Sequence, residues 1–594
     1  MNPARYVAAA SSWSVSLSPD ATRIAYVSDR DGAPRLFVAD IDGRNAEALD
    51  TGPEPVQEAR WAFDRDRIAL LVAPGGSPRT EVWVIRPDGS DLRRLTSAID
   101  GASYLGPWSR TGGLLGISRT TQPTSGLCEL IDLESERVLP IALGGQPILL
   151  DVDSERRVAL IRRGPRGDRS VWAIELEHQR ETELRFTKET GSTDLGRLSP
   201  SGDTAYLRSN LGRDRFALFA VQFSDGIPER ARVLAERADA ELDDLILSAE
   251  GNRAALIWNR AGHSECQILD LDSGASHDLL LPEPVAHGGS FSNDGRFLAL
   301  TLEGPTHPRA VFVLNTAEGS FRRVTTQPSG WTSPTTTPML ERLHGEDGLE
   351  ISGWLYRAAE GLSQSPAAIL HLHGGPEAQA RPTFDPLFQA LAAGGIAVFA
   401  VNVRGSSGFG RAFLEADNRE RRFGAIADVA ACARHLFALG LATPQTLGCE
   451  GRSYGGYLTL AALVFHPELF AAGVDICGMC DFSTFYRDTE PWIARAAYPK
   501  YGHPESDAAL LRELSPIHRF ESLRAPLLVV HGENDTNVPV GEAKQVVARA
   551  SELGVPVEFL LFPEEGHELV QRSNRERFVS RTVDFLSRTL LHRV

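Results

Sequence analysis

The amino-acid sequence predicts two domains, an N-terminal seven-bladed β-propeller and a C-terminal α/β domain built on a mostly parallel sheet. Three observations support this prediction. The chain has 594 residues, several times the roughly 150 residues of an average domain. Its first part repeats one turn element at a nearly constant spacing. Its last part alternates short apolar strands with helical segments.

The repeated element recurs through residues 1–325, the predicted propeller. In each copy an apolar residue precedes a polar turn, and in most copies an apolar strand follows, as Arg23–Val27 follows Leu17–Asp20. The turn positions are 18, 64, 109, 153, 199, 248 and 292, with steps of 46, 45, 44, 46, 49 and 44 residues. About 45 residues accommodate the four strands of one propeller blade, so seven copies predict seven blades. The alternative is a pair of β-sandwiches with chance turn motifs, and the near-equal steps argue against it.

Residues 339–594 follow a different pattern, after a predicted linker at 326–338 that is rich in Thr, Ser and Pro. Short apolar runs such as Ala368–His373 and Ile396–Val403 alternate with helical periodicity such as that of Ala425–Gly440. Alternating strands and helices are typical of a parallel sheet covered on both faces. We therefore expect a second, independent core in this part of the chain.

Composition and charge exclude several classes of protein. The formal net charge of −17 argues against a nucleic-acid partner, because a phosphate-binding surface needs clustered Lys and Arg. Six scattered cysteines imply no disulfide framework, and the single C-x-x-C at Cys477 and Cys480 lacks the second pair of a zinc site. No apolar run reaches 18 residues and no signal-peptide core is evident, so we expect no membrane span and a cytoplasmic location.

The first chemical signal is the G-x-S-x-G motif at Gly451–Gly455, which is weak when taken alone. Its context is more informative, because it follows the predicted strand Thr446–Glu450 and precedes the helical run Tyr457–Phe465. Such a strand–turn–helix elbow exposes a serine at the C-terminal edge of the sheet in the α/β-hydrolase fold. Glycines beside the serine leave room where side chains would clash. The motif therefore predicts that Ser453 is the nucleophile of a serine hydrolase.

A serine nucleophile needs a general base, and the base needs an orienting carboxylate. In this fold the residues follow the chain order serine, acid, histidine. Asp535 lies on the loop after the predicted strand Leu527–His531 and is the expected acid, with Glu533 as the alternative. His567 lies on the loop after the next strand and is the expected base. His592 is discounted because it falls in the terminal helix.

The oxyanion hole of such a site uses two backbone N–H groups. One is expected from Tyr454, directly after the nucleophile, and the other from Gly375, in a glycine loop that follows an early strand. An alternative interpretation makes His371 and His373 metal ligands on one strand face, but no third ligand lies nearby in the sequence. We therefore expect neither a metal nor a cofactor.

Together the motifs resemble those of the prolyl oligopeptidase family of serine peptidases, and within it the acylaminoacyl-peptidase branch. The resemblance covers roughly residues 340–594, whereas the propeller is similar in architecture and repeat length only. It implies that Ser453, Asp535 and His567 form a catalytic triad under a propeller that admits short or unfolded peptides. The matching segments are His373–Pro376, Asn402–Gly410, Gly451–Tyr457, His531–Asp535 and Glu565–His567.

The resemblance also bears on the substrate. Many family members carry Arg two residues after the acid, where it holds the substrate's P2 carbonyl, and this chain has Asn537 there. An asparagine can still donate a hydrogen bond, as in the similar dipeptidyl peptidases. An apolar or aromatic S1 pocket is expected from Phe485, Tyr486, Trp492 and Val538, with ordinary core packing as the alternative.

These features predict a serine peptidase, acylaminoacyl- or dipeptidyl-peptidase-like. We expect it to cleave short peptides after a hydrophobic P1 residue or Pro, through an acyl-enzyme on Ser453. Two alternatives stay open at this point. One is an esterase or amidase that acts on a small peptide-like metabolite, and the other is an inactive propeller scaffold. The family resemblance further implies a homo-oligomer as a partner state.

Overall fold

The protein is represented by a computed structural model that describes most of the chain. Part of the predicted linker, the turn position 64 and His592 lie outside the described residues. Those described are 3–63, 66–110, 113–120, 125–155, 157–224, 227–329, 331–332, 334, 336–359 and 366–591.

The N-terminal part forms seven four-stranded antiparallel sheets within the described residues, each built from strands consecutive in the chain. The predicted propeller is therefore confirmed. The strands are β1 Ser12–Leu17, β2 Arg23–Ser28, β3 Arg35–Asp40, β4 Glu47–Ala48, β5 Val56–Trp61, β6 Ile68–Val72, β7 Glu81–Ile85, β8 Arg93–Arg94, β9 Ala102–Trp108, β10 Leu114–Thr120, β11 Gly126–Asp132, β12 Val138–Leu143, β13 Ile148–Val152, β14 Val158–Arg163, β15 Ser170–Glu175, β16 Arg180–Glu183, β17 Thr193–Leu198, β18 Thr204–Ser209, β19 Ala217–Ser224, β20 Ile227–Ala235, β21 Glu241–Leu247, β22 Arg253–Arg260, β23 His263–Asp270, β24 Ser276–Leu279, β25 Val285–Phe291, β26 Phe297–Gly304, β27 His307–Asn315 and β28 Ser320–Arg323.

The repeated turn of the sequence joins the first and second strands of each blade. In the first blade the Ser18 hydroxyl accepts a hydrogen bond from the Arg23 N–H at 2.9 Å, while the Ser18 N–H donates to the Arg23 carbonyl at 3.0 Å. The hydroxyl thus satisfies an N–H that the tight turn leaves without a backbone partner. The same side-chain acceptor recurs at Ser109, Asp153, Ser199, Ser248 and Ser292.

The ring closes by side-chain packing between its first and last blades. Val15 and Phe37 of the first blade share an apolar cluster with Val311 and Val313 of the seventh. No strand is exchanged between the described blades, because each sheet contains only consecutive strands. Hydrophobic burial therefore supplies the closing contact.

The C-terminal part forms one eight-stranded sheet in the order β29-β30-β32-β31-β33-β34-β35-β36. The pairs β29–β30 and β30–β32 are antiparallel and the other five are parallel. The sheet confirms the predicted α/β-hydrolase fold and brings the ends of its parallel strands to one edge. Its strands are β29 Met339–His344, β30 Glu350–Tyr356, β31 Ala367–Leu372, β32 Ile396–Asn402, β33 Leu447–Arg452, β34 Ala472–Ile476, β35 Leu527–Gly532 and β36 Val557–Phe562.

Helices cover both faces of this sheet, and none in the described part of the chain is long and apolar enough to cross a bilayer. The α-helices are α1 Ala4–Val7, α2 Pro386–Ala393, α3 Arg411–Leu414, α4 Arg422–Ala438, α5 Tyr454–Phe465, α6 Phe482–Asp488, α7 Pro491–Tyr501, α8 Ala508–Leu514, α9 Gly541–Glu552 and α10 Arg572–Leu590. Short 3₁₀ turns occur at Pro74–Gly76, Ala98–Asp100, Arg419–Arg421 and Pro516–Ser522.

The first helix differs from the expectation that residues 1–325 belong to the propeller. Tyr6 and Val7 on α1 are each 3% exposed and join the core between the catalytic sheet, α2 and α10. These residues precede the first blade strand in the chain, and their side chains pack on the catalytic domain. The chain therefore begins on the catalytic domain before it enters the propeller.

Arg381 is one of several residues that tie the two domains together. Arg381 of the catalytic domain donates to the Gly262 carbonyl at 2.9 Å, to Asp243 Oδ2 at 2.9 Å and to Ser264 Oγ at 2.8 Å. All three acceptors belong to the sixth blade. Because the ion pair is largely shielded from water, it contributes more than an exposed pair.

We expect Arg381→Ala to destabilise the protein by about 2 kcal/mol or more, because it removes charge-assisted hydrogen bonds and leaves Asp243 without its partner. Scanning calorimetry should record a lower unfolding midpoint. Arg342→Ala is the matched control, since its pair with Glu350 is about half exposed on both sides and should contribute under about 1 kcal/mol. Equal midpoints for the two variants would contradict the assigned role of Arg381.

Candidate active site

Ser453 occupies a sharp turn between β33 and α5. Its backbone adopts φ 58° and ψ −116°, a conformation that side-chain-bearing residues rarely occupy. The Ser453 N–H donates to the Ile476 carbonyl at 2.8 Å, and the Ser453 carbonyl accepts from Tyr457 at 3.0 Å. Such strain persists only where surrounding contacts enforce it, and it is concentrated at functional sites.

Glycines allow the turn to press against its neighbours. A Cβ built on Gly455 would lie 1.8 Å from the Leu372 carbonyl oxygen, and one on Gly451 would lie 2.5 Å from the same atom. A Cβ on Gly456 would lie 2.6 Å from Asp475 Oδ1. No side chain fits at these contacts, so the serine turn depends on glycine at each position.

The expected acid and base lie together at the same sheet edge. His567 Nδ1 is 2.6 Å from Asp535 Oδ2, and Asp535 Oδ1 accepts hydrogen bonds from the backbone of Asn537 at 2.8 Å and of Val538 at 3.0 Å. Burial would raise the pKa of Asp535, but His567 and its neighbour His531 hold that pKa well below its usual range. The carboxylate therefore stays ionised beside the imidazole.

Glu533, the alternative acid, does not take this position. Its side chain is exposed, and its backbone N–H donates to the Phe562 carbonyl at 2.9 Å. Among the described residues, the carboxylates paired with His567 are limited to that of Asp535. The geometry thus favours Asp535 as the orienting acid.

A thiol that the sequence analysis did not place in the site lies beside the histidine. Cys477 is 3% exposed, and its Sγ lies within 4.8 Å of donor atoms of both Asp535 and His567. Burial raises the pKa of the Cys477 thiol, but the charges of His567 and Arg452 outweigh it and lower that pKa. Its position at the end of β34, on the same edge as Ser453, was the sequence signal that could have identified it.

The thiol also affects the base. Burial lowers the pKa of His567, but the negative charges of Cys477 and Asp535 outweigh burial and raise that pKa above its usual value. Because a general base must be neutral to accept a proton, the raised pKa displaces its active range toward higher pH.

Two sets of residues contain side chains that can bind metals. The donors of Cys477, Asp535 and His567 are close enough to hold an ion, but the 2.6 Å contact between Asp535 and His567 leaves no space between those two ligands. His371 is 2.5 Å from Glu450 and His373 is 2.7 Å from Ser406, so these two histidines have separate partners. The structure does not bring them into a common ligand set among the described residues.

The backbone N–H groups of Tyr454 and Gly375 are available for the expected oxyanion hole. Tyr454 is the first residue of α5, where N–H groups lack acceptors in the helix. The glycine loop approaches the nucleophile, since a Cβ built on Gly374 would lie 3.7 Å from the Ser453 Cβ. Neither N–H has a hydrogen-bond acceptor within the described part of the chain.

An aromatic cluster lies behind the nucleophile and includes residues that the sequence analysis missed. The Tyr454 ring stacks on those of Tyr457 and Tyr501, with ring centroids 5.7 and 6.2 Å apart. The ring centroid of Phe482 lies 4.8 Å from that of Tyr501. Phe482 also contacts Tyr486, one of the expected S1 residues, at 6.5 Å. Phe482 and Tyr501 are distant in sequence from the serine motif, so no local signal identified them.

The expected S1 residues are divided by the fold. Phe485 and Val538 are 2% and 1% exposed and belong to the catalytic core, and Phe485 packs 5.3 Å from Tyr486. Trp492 instead lies at the domain boundary, 5.8 Å beneath the guanidinium of Arg79 from the second blade. Phe485 and Val538 therefore belong to the catalytic core, Tyr486 packs against that core, and Trp492 lies at the domain boundary.

Asn537 presents a free amide at this edge. Its backbone carbonyl accepts a hydrogen bond from the Thr489 hydroxyl at 2.6 Å, while its half-buried side chain makes no hydrogen bond within the described residues. Such a group is ready to bind an external acceptor.

The propeller supports the loop that carries His567. A Cβ built on Gly566 would lie 2.4 Å from the Gly76 carbonyl oxygen of the second blade. Nearby, Arg79 makes a two-pronged ion pair with Glu490, with contacts of 2.7 and 3.0 Å. The position of the base thus depends on both domains.

Comparison with known proteins agrees with this architecture. Residues 382–593 match the model of the Prolyl oligopeptidase family. Dipeptidyl aminopeptidase BIII of Pseudoxanthomonas mexicana is 25% identical over 621 residues, covering 97% of this chain and 86% of that protein. An acylamino-acid-releasing enzyme of Arabidopsis thaliana is 27% identical over 225 residues, covering 36% of this chain and 30% of that protein.

One solved structure is similar to this chain over both domains. A puromycin-hydrolyzing peptidase of Mycobacterium tuberculosis superposes with a TM-score of 0.86 at 18% identity, covering 99% of this chain and 96% of that one. At this level of identity the match describes the fold.

We expect Gly566→Ala to slow the reaction of Ser453 with a fluorophosphonate by about 10-fold or more, because the added methyl must displace Gly76 or the His567 loop. The labelling rate constant is the measurement. Gly541→Ala is the matched control, since no atom lies within 4 Å of a Cβ built there. Unchanged labelling in Gly566→Ala would show that the domain contact does not position the base.

We expect Cys477→Ser to move the acid limb of the labelling rate to lower pH. The substitution removes a charge that raises the pKa of His567, so the imidazole stays neutral to lower pH. Rates measured across the pH range test this. Cys480→Ser is the control, because burial raises the pKa of that thiol well above its usual value and it carries no charge. Coincident limbs for wild type and Cys477→Ser would contradict the assigned charge effect.

Proposed function

We propose that this chain, whose residues 382–593 match the prolyl oligopeptidase family, is a serine peptidase that cleaves short peptides through an acyl-enzyme on Ser453. The observation that supports the proposal most directly is the 2.6 Å pair of His567 and Asp535 at the edge where Ser453 occupies its strained turn. An inactive propeller scaffold would not need a strained serine, so the arrangement argues against that alternative.

The proposed mechanism is acyl transfer. His567 accepts the Ser453 proton as Oγ attacks the substrate carbonyl, and Asp535 stabilises the imidazolium that forms. The N–H groups of Tyr454 and Gly375 donate to the oxyanion. His567 then protonates the leaving amine as the C–N bond breaks. Water then attacks the acyl ester by the same steps, with His567 as the base, which releases the acid and restores Ser453.

The proposed substrate contacts follow from groups left free around the nucleophile. The Asn537 amide would donate to the P2 carbonyl, since its side chain has no partner among the described residues. Phe485, Tyr486 and Val538 would line the pocket for a hydrophobic P1 side chain. Trp492 would act through the domain boundary, where it lies beneath Arg79.

Exopeptidase action is the form of the proposal that the relatives favour. Two of the relatives are a dipeptidyl aminopeptidase and an acylamino-acid-releasing enzyme, and both names describe removal of an N-terminal unit. The propeller lies over the site through Arg381, Gly76 and Arg79, which would restrict access to short or unfolded peptides. Hydrolysis of a small peptide-like amide is the second candidate, because the same triad serves both reactions.

We expect wild type to cleave dipeptidyl or acylaminoacyl anilides with Phe, Ala or Pro at P1, and Ser453→Ala to lose about 10⁴-fold or more of that kcat. A substrate panel with free and blocked N-termini, together with puromycin and p-nitrophenyl esters, separates the candidates. Turnover limited to esters would contradict the peptidase proposal.

Fluorophosphonate labelling provides the control for this experiment. Wild type should label and Ser453→Ala should not, whereas Ser407→Ala keeps the nucleophile and should label as wild type does. A wild type that resists labelling would contradict the assignment of Ser453.

A further inference from the structure

Three arginines lie close together on the fourth blade, on the face that meets the catalytic domain. Arg162 is near the end of β14, Arg166 is in the following loop and Arg169 directly precedes β15. All three are half-buried. The loop touches the catalytic domain, since a Cβ built on Gly167 would lie 4.0 Å from Glu415 Oε1. The three guanidinium groups therefore belong to the space between the domains.

These arginines have too few acidic partners. Asp194 Oδ2 is 3.8 Å from Arg169 Nη1, but Asp194 Oδ1 is also 3.1 Å from Arg208 Nη1. Within the described residues, no carboxylate lies within 4.0 Å of Arg162 or Arg166. Within the described residues, Asp194 is thus the close carboxylate of this group, and Arg169 shares it with Arg208. A cation that is partly withdrawn from water is stabilised by a partner of opposite charge, so Arg162 and Arg166 are available to an external anion.

Their electrostatic environment agrees with this imbalance. Burial lowers the pKa of Arg162 to about 10, and repulsion from Arg169 and Arg166 acts in the same direction. A chain with a net charge of −17 therefore maintains a positive wall inside its domain boundary.

The arginine loop lies near residues that surround Ser453. A Cβ on Gly167, between Arg166 and Arg169, would face Glu415, and the carbonyl of the adjacent Leu414 accepts a hydrogen bond from Lys500 Nζ at 2.6 Å. Lys500 Nζ also lies 3.4 Å from Glu377, two residues after Gly375, and the ring of the next residue, Tyr501, lies 6.2 Å from that of Tyr454. A short series of contacts across the domain boundary therefore connects the arginine loop to the surroundings of Ser453.

We propose that Arg162, Arg166 and Arg169 bind a carboxylate of the peptide substrate. This inference rests on the proposed peptidase function and specifies its substrate class. A guanidinium group matches a carboxylate through two parallel hydrogen bonds, and enclosure strengthens the pairing. The carboxylate is either the C-terminus of a short peptide or an acidic side chain, and both present the same chemistry.

Binding to the Ser453→Ala protein tests the proposal without turnover. Two matched pairs of peptides separate the sources: one pair differs only in a C-terminal carboxylate or amide, the other only in Glu or Gln within an amidated peptide. We expect the carboxylate member of at least one pair to bind more tightly by on the order of 10-fold. The pair that shows the preference identifies the source. Equal Kd values within both pairs would overturn the proposal.

Substitutions then locate the preference. In the Ser453→Ala background, Arg162→Gln with Arg166→Gln should abolish the difference in Kd while the uncharged peptide binds as before. Arg163→Gln is the matched control from the same strand, because Arg163 pairs with Glu181 at 2.5 and 2.8 Å, and it should keep the preference. A preference that survives the double substitution would overturn the assignment.

The same peptides link the inference to catalysis and keep the two proposals distinct. With the otherwise wild-type enzyme, the preferred member should show a kcat/KM higher by a similar factor, and this factor should fall as salt is added. A wild type that binds carboxylate peptides through the arginines but cleaves no peptide would contradict the peptidase proposal alone. Cleavage with no carboxylate preference in kcat/KM or Kd would contradict the arginine proposal alone.

Discussion

The close approach of three backbone segments underlies the whole site. The turn at Ser453 lies against the end of β31, where the Leu372 carbonyl leaves no room for a side chain on Gly451 or Gly455. A hydrogen bond from Ser453 to Ile476 joins the same turn to β34. Because these contacts are backbone to backbone, they fix the nucleophile without depending on a side-chain rotamer. The strained φ angle is sustained by packing that the parallel sheet provides on both sides.

His567, the proposed base, is positioned by the interface between the two domains and not by the core of one domain. His567 lies on a loop that Gly76 of the propeller contacts through Gly566, and Arg381 fastens the domains on another side. Rigid positioning of a general base matters because small displacements sharply reduce proton transfer. The propeller therefore contributes to the position of His567, and under the proposed function it would also exclude large substrates. Motion between the domains would change access and the alignment of the base together.

The sequence was informative where a feature is local along the chain. The repeated turns were visible because, in the copies that the structure describes, each hairpin uses one side-chain acceptor five residues from its N–H donor, as at Ser18 and Arg23. Ser453, Asp535 and His567 could be proposed from the sequence because β33, β35 and β36 follow the same order in the sheet and in the chain. Phe482 and the helix containing Tyr6 were not evident from the sequence, because their contacts arise from tertiary packing that no local pattern encodes. Cys477 carried one signal only, its position at the end of a strand of the parallel sheet.

Net charge is a second property of the sequence that does not reveal tertiary arrangement. The total of −17 describes the whole surface, and a total carries no information about one enclosed space. The arginines of the fourth blade are few among many charges, yet they lie together beside the catalytic domain. Under the two proposals, chemistry and selection are divided between the domains, because the catalytic sheet carries Ser453 and a propeller loop carries the arginines. Substrate choice would then change through loop residues such as Arg166 while the strained turn at Ser453 stays the same.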